Sequence, residues 1–463
     1  MTTKILDYFS QIVTVPRASG NEKFIREWLI DRAHQNNLSY RTDAIWNLVL
    51  YVPATPWYEN KPIVILQAHM DMVCVKSPTS NHDFTKDPLH IYEEEDWLKA
   101  KDTTLWADNG IAIAMMLSIV ERPHPNLELF FTVDEERWLT WALHFDTSLL
   151  SGKYLINLDT EDEWEICISS AWWARVDCLC TITFENTKYQ TYEVAITWLQ
   201  WWHSGVDIHL NRWNAIIALL EVIDSYGDGL QLIELSWWQA DNAIPTECRA
   251  ILAIQDQEKF ERHIGDYTQN YKKTYDADSL SHSINPIDTT TSAINDYITF
   301  ISTLLDIPVG VIKMNEQTPD LVETSINLWM IQISDSCLHL TYAPRSSDNE
   351  KLHLLIDTLR DKYSTINWEI STRSMYPGRY QNPDDRLVQL TKKHYEDVLK
   401  RPVKVVAYHA WLECWAIVGK LWNGVQSVSI WPTIKHPHSI NEKVFKPSVD
   451  RVYQVLQNIL LEI

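Results

Sequence analysis

Five short stretches of this chain carry side chains suited to a divalent cation. They are HMDM at 69–72, ADNG at 107–110, DEE at 134–136, LDTED at 158–162 and HPHS at 436–439. Zinc takes imidazole nitrogen and carboxylate oxygen, and a catalytic zinc keeps one position open for water. Hydrolases with two metals set them roughly 3.5–4 Å apart, which calls for a carboxylate bridging both. Each stretch is weak by itself. A histidine at a strand end is more often a hydrogen-bonded core residue, a DEE run is usually a solvated turn, and ADNG usually caps a helix. Their shared context raises them above that background, because four lie at the ends of apolar strand candidates or open a helix beside one.

The elements that must position them alternate in the first third of the chain. KPIVILQAHMDMV, NLELFFTVDEE and KYLINLDTEDE are apolar runs that end in polar or acidic residues, and NGIAIAMMLSIVER reads as a helix opening just after Asp108. Buried strands with helices between them imply an α/β sheet, whose functional groups gather past the carboxyl ends of the strands. Here those ends carry His69 and Asp71, then Glu135 and Glu136, then Asp159.

From about residue 187 to 372 the pattern changes. YEVAITWLQ, NAIIALLEVIDSY, CRAILAI and EKFERHIGDYTQNYKKTY read as strand, helix, strand and charged helix. SAINDYITFISTLLDI, NLWMIQIS, CLHLTYA, EKLHLLIDTLRDKY and INWEIST then read as helix, strand, strand, helix and strand. That order suggests a doubled βαββαβ unit, repeated in elements and not in residues. PDDRLVQLTKKHYEDVLKR, VQSVSI and PSVDRVYQVLQNILLEI return to the earlier style, with capping residues ahead of the first helix and Pro near the start of the last. The simplest account is a domain built from 1–186 and 373–463, interrupted by an α+β insert at 187–372.

Composition agrees with a folded enzyme. The chain has 463 residues, 45% hydrophobic and 22% charged, enough for two domains. Its net charge of -22 argues against nucleic acid, whose phosphates need Lys and Arg. No run is long and apolar enough to span a membrane, and the N-terminus reads as an amphipathic helix with no cleavage site. A cytoplasmic address is the default expectation. The seven cysteines are scattered, and reduced, mostly buried thiols are expected.

The stretches QAHMDMV, HDFTKDP, KDTTLWADNGIA, TVDEERWLTWA, HSGVDIHLNR, NAIPTE, YHAWLEC and WPTIKHPHS resemble, in order and spacing, the aminoacylhistidine dipeptidases (peptidase D). That family belongs to a larger group of co-catalytic zinc aminoacylases, carboxypeptidases and dipeptidases. The likeness runs through nearly the whole chain. It implies a zinc-exopeptidase-like catalytic domain, a mixed sheet flanked by helices, with an inserted lid of the dimerisation type. It also implies roles for single residues. Asp108 would bridge two metals, with His69 and Asp159 completing one shell and Glu136 and His438 the other. Asp71 would orient His69. Glu135 would be the general base, taking a proton from the water between the metals and giving it to the leaving amine. His203 would polarise the scissile carbonyl. Asn242 and Arg345 would hold the substrate carboxylate, for which Arg is suited through paired hydrogen bonds, although a solvated loop arginine is as good a reading of Arg345. Glu413 would contact the substrate's amino end.

The expected activity is metal-dependent dipeptide hydrolysis, with an Xaa-His preference open. The expected cofactors are two divalent ions, zinc first, with manganese or cobalt as alternatives. Small peptides would be the partners, and the chain would be a monomer or homodimer. The size of the insert favours a site completed within one chain. Two other readings remain: a deacylase or carboxypeptidase acting on N-acyl amino acids with the same metal core, and a non-catalytic binding homologue, which intact ligands and an intact Glu135 argue against.

One departure is systematic. The chain holds 22 Trp and 11 Gly, where average usage of about 7% predicts roughly 32 Gly. Trp stands where the family has Gly at 106, 138, 141, 172, 173, 198, 201, 202, 213, 237, 238, 329, 411, 415 and 431. Trp97 and Trp368 sit in ordinary strand-like contexts. Turns beside ligands need the backbone freedom that glycine alone gives cheaply. A gene in which UGA encodes glycine, translated with UGA as Trp, produces this pattern. A diverged, inactive protein is the competing explanation.

Overall fold

The computed structural model describes all residues except 1, 138–143, 161, 199–201, 206, 211–212, 239–242, 276–278, 289–291, 317–320, 335, 365–367, 377, 410–412 and 422–423. The chain divides into two compact units. One comprises Met1–Ser169, Arg379–Ala407 and Leu412–Ile463, and the other Ser170–Gly378 with Tyr408–Trp411.

The first unit is built on a mixed nine-stranded sheet. Leu127–Thr132, Val64–His69, Tyr154–Asn157 and Gln426–Ser429 run parallel at its centre, and Leu48–Val52 pairs antiparallel with Leu127–Thr132. The central strands VILQAH, LELFFT and YLIN are buried at every position. This is why they read as continuous apolar runs without alternation. The register sets His69 beside Thr132 and Gln67 beside Asn157. The next residues of all three strands therefore leave the sheet together at one edge. The helix Ala107–Ile119 packs on the Val64–His69 strand and is buried almost throughout. A separate four-stranded sheet contains the hairpin of Ile434–Lys435 and Lys443–Phe445, whose connection carries His438.

The second unit is organised around another nine-stranded sheet. In one half, Gln190–Thr197 lies between Ser281–Pro286 and Glu247–Ile254, and Leu230–Trp238 follows. In the other half, Trp172–Thr181 lies between Glu369–Tyr376 and Cys337–Ser346, and Val322–Ser334 follows. The halves meet where Leu230–Trp238 pairs with Val322–Ser334. The repeated element order thus corresponds to a repeated strand arrangement, read outward from the shared pair. The first strand of the second half is Trp172–Thr181, which precedes residue 187; its ladder partners set it in the second unit. The helices Ala215–Tyr226, Gln257–Tyr275, Tyr297–Leu305 and Asn349–Ser364 supply one hydrophobic core with this sheet.

All seven cysteines are free thiols. Among the described residues, no helix is long and apolar enough to cross a membrane.

Candidate active site and metal centre

Three parallel strands, the start of the Ala107–Ile119 helix and one hairpin bring the predicted ligands together in the first unit. Asp108 turns one oxygen to each histidine: Oδ1 is 3.0 Å from His69 Nε2, and Oδ2 is 3.0 Å from His438 Nε2. Asp159 Oδ1 is 3.7 Å from His69 Nε2, and Glu136 Oε2 is 3.0 Å from His438 Nε2. Two donor sets therefore share Asp108. One is His69, Asp108 and Asp159, and the other is Asp108, Glu136 and His438, each with its ligand atoms within 4.8 Å of one another. Glu135 joins His69 and Glu136 in a third grouping of the same kind.

The donor set fits divalent cations on a further observation. Glu136 Oε1 is buried and has no hydrogen-bond partner, a costly state for a carboxylate oxygen that a cation would relieve. The protonation of the histidines points the same way. Burial by itself lowers the pKa of His69, yet Asp159, Asp108 and Asp71 raise it well above the ordinary imidazole value. Burial opposes and Glu136 and Asp108 together push His438 up to about 12. The carboxylates around both histidines call for positive charge, which a divalent cation would supply.

Asp71 does more than sit beside His69. It is fully buried, and Oδ1 lies 3.5 Å from His69 Nδ1. Its two oxygens accept the peptide N–H groups of Glu135 (2.9 Å) and Glu136 (3.1 Å). One carboxylate thus links the His69 strand end to the turn carrying both glutamates. Glu22 extends this support by accepting the N–H of Asp134 at 3.2 Å. Asn109 donates to Asp159 Oδ1 at 2.6 Å and to the Leu158 carbonyl at 2.9 Å.

The remaining predicted residues belong mostly to the second unit. His203 Nδ1 accepts the N–H of Gly205 at 3.0 Å, so in the neutral ring the proton resides on Nε2. Burial, with Arg345 adding, lowers His203 to about 3, which keeps it neutral and able to donate. Arg345 is buried, with Nη2 3.4 Å from Ser204 Oγ. His409, which sequence reasoning missed within YHAWLEC, is also buried; it lies 2.8 Å from Ser325 Oγ and is lowered to about 3 by burial and then Arg345. Two imidazoles are therefore kept uncharged around one buried guanidinium. Glu413 opens the helix Glu413–Lys420; Asn242 lies outside the described residues.

The tryptophans divide as their contexts suggest. Trp106 is fully buried with φ +68°, a conformation costly for a bulky residue. The indole N–H groups of Trp106, Trp173, Trp198, Trp213, Trp237, Trp329, Trp415 and Trp431 are buried without a hydrogen-bond partner. A buried indole normally finds one, and each orphan costs about 1–3 kcal/mol. Every one of these positions is among those where Trp replaces a family glycine. Trp46 and Trp57, both at φ +79°, extend the pattern to two positions that sequence reasoning did not single out. Trp97 packs at a tilt against Phe445, ring centroids 5.1 Å apart, and Trp368 likewise against Tyr363 at 4.6 Å. Trp138, Trp141, Trp201 and Trp411 lie outside the described residues.

No protein-family model matches the chain. Over 475 residues it is 29% identical to the cytosol non-specific dipeptidase of Escherichia coli strain K12, covering 99% of this chain and 97% of that one. The crystal structure of an aminoacylhistidine dipeptidase from Vibrio alginolyticus is similar with a TM-score of 0.84 and 28% identity, covering 99% of this chain and 96% of the other. The chain is thus similar to these two dipeptidases over nearly its whole length. The fold reaches further: the aminopeptidase PepT of Bacillus cereus is similar with a TM-score of 0.63 at 15% identity, over 99% of this chain and 98% of that one.

Proposed function

We propose that this dipeptidase relative hydrolyses dipeptides with two divalent ions, zinc first, held by His69, Asp108, Glu136, Asp159 and His438. The observation that carries the reading is the pair of donor sets sharing Asp108. Such ions, when bound, acidify a water and polarise the scissile carbonyl. The chain's own residues do the rest. Glu135 takes the proton of the attacking water and delivers it to the departing amine, while Asp71 holds the Glu135 peptide at 2.9 Å. His203, neutral with its proton on Nε2, donates to the carbonyl oxygen as negative charge develops there. Arg345 takes the free carboxylate at the C-terminus of the dipeptide, with Asn242 beside that end and Glu413 near the amino end. Burial of Arg345 strengthens this charge-assisted contact.

A dipeptide substrate follows the relatives' names, and a cytosolic address follows that of the Escherichia coli relative. The test is a panel of dipeptides, including Xaa-His members, assayed with metal-stripped protein and after addition of zinc, manganese or cobalt. Restored cleavage of free dipeptides supports the reading. No cleavage of any dipeptide with any of the three metals would reject it.

A further inference from the structure

Two buried charges outside the predicted ligand set converge on the backbone around Asp108. Glu442 is 3% exposed and follows the His438 turn. Its Oε2 accepts the N–H groups of Leu105 (2.8 Å) and Trp106 (3.3 Å), and its Oε1 those of Ala107 (2.9 Å) and Asp108 (3.3 Å). Arg17 is fully buried. Its Nη2 donates to the Trp106 carbonyl at 2.6 Å, and its Nη1 to the carbonyls of Met70 (3.0 Å) and Asp71 (3.2 Å). Gly110 makes room for it: a Cβ there would stand 2.6 Å from Arg17 Nη2 and 3.0 Å from Phe9 Cε2.

We propose that Glu442 and Arg17 are positioning residues for the metal centre. Glu442 holds the Asp108 turn by its peptide N–H groups, and Arg17 ties that turn to the one after His69 by their carbonyls. Both oxygens of Asp108 thereby face their separate histidines before any ion arrives. This rests on the reading of Asp108 as the shared ligand. Burying a lone carboxylate or guanidinium is strongly unfavourable. Four N–H donors satisfy Glu442, three carbonyls take the Nη groups of Arg17 while its buried Nε has no partner among the described residues, and the two opposite charges favour each other across the same turn. Their bonds end on peptide groups flanking His69 and Asp108, so their loss moves ligands before it loosens the core.

Three variants test this: E442Q, which puts an amide N–H₂ against donors; E442D, which keeps the charge on a shorter arm; and G110A, which changes no charge but pushes on Arg17. Hydrogen exchange of the 105–108 amides is measured in metal-free protein, then zinc affinity by competition titration, then kcat and KM at saturating zinc. We expect faster exchange confined to 105–108, zinc binding weaker by about 10–100-fold as for other partners of metal ligands, a lower kcat and a nearly unchanged KM. E442D should lie between E442Q and wild type. Wild-type exchange and zinc affinity in folded E442Q, or exchange raised evenly across the first unit, would overturn the proposal. Should E442Q not fold, G110A decides by the same criteria. Wild-type protein that bound no second ion would instead reject the reading of Asp108, while the metal-free exchange result would still stand by itself.

Discussion

Asp71→Asn is the substitution whose effect the geometry constrains most closely. The carboxylate uses both oxygens, one for the N–H of Glu135 and one for that of Glu136. Asparagine offers one acceptor and one N–H₂ group, so one of the two peptide N–H groups loses its partner and faces a donor. A hydrogen bond to a charged group is worth about 1.5–3 kcal/mol. At 1.4 kcal/mol per factor of ten, that loss corresponds to about 10–100-fold in whatever equilibrium depends on the turn. Glu136 belongs to one donor set and His69 to the other, so both ions should bind more weakly by about that factor. The substitution also removes the negative charge 3.5 Å from His69 Nδ1, although the Asp71 backbone carbonyl, 3.2 Å from that nitrogen, remains. Competition titration with a chromophoric chelator reads the affinities, and turnover at saturating metal reads whether Glu135 is still aimed correctly. We expect kcat to fall with KM nearly unchanged, and Asp71→Ala to be worse. A folded Asp71→Asn protein with wild-type metal affinity and turnover would refute the reasoning.

Glu135→Gln keeps the shape of the side chain but cannot accept a proton, so kcat should drop by about 10²–10⁴ or more with metal content retained; near wild-type turnover would mean that another group is the base. If Arg345 reads a free carboxylate, dipeptides should be cleaved and their C-terminal amides left intact, and equal cleavage of the two would remove that role. The native gene should carry UGA at Trp106, Trp138, Trp201, Trp202 and Trp431 and UGG at Trp97, and mass spectrometry of the native protein should find glycine at the former. UGG throughout, with a stable and active Trp protein, would end that explanation.

Four of the five candidate ligand stretches were legible because each follows a strand or opens a helix; HPHS, in a hairpin connection, was assigned by the family resemblance. VILQAH, LELFFT and YLIN are mostly apolar and buried at every position, since parallel strands at the centre of a sheet are covered on both faces. The supporting charges were not legible. Arg17, Glu22 and Glu442 look like surface residues in a sequence, and only the tertiary fold turns backbone N–H and carbonyl groups towards them. Asp71 was assigned to His69 by the family resemblance, while its bonds to the Glu135–Glu136 turn join residues more than sixty positions apart. The doubled insert was visible in element order, but the pairing of Trp172–Thr181 with Cys337–Ser346 is long-range and leaves no local trace. Capping residues were expected before the Arg386–Leu399 helix, but Asp385 makes no side-chain cap and instead accepts a bond from Gln381.

The central claim is that Asp108 serves two ions at once. Its most direct test is metal counting by mass spectrometry under native conditions, on wild-type protein and on Asp108→Ala, beside dipeptide hydrolysis. The account predicts two ions and cleavage for the wild type, and loss of both bound ions and of activity in Asp108→Ala. An Asp108→Ala protein that kept two ions, or wild-type protein fully active after rigorous metal removal, would contradict it.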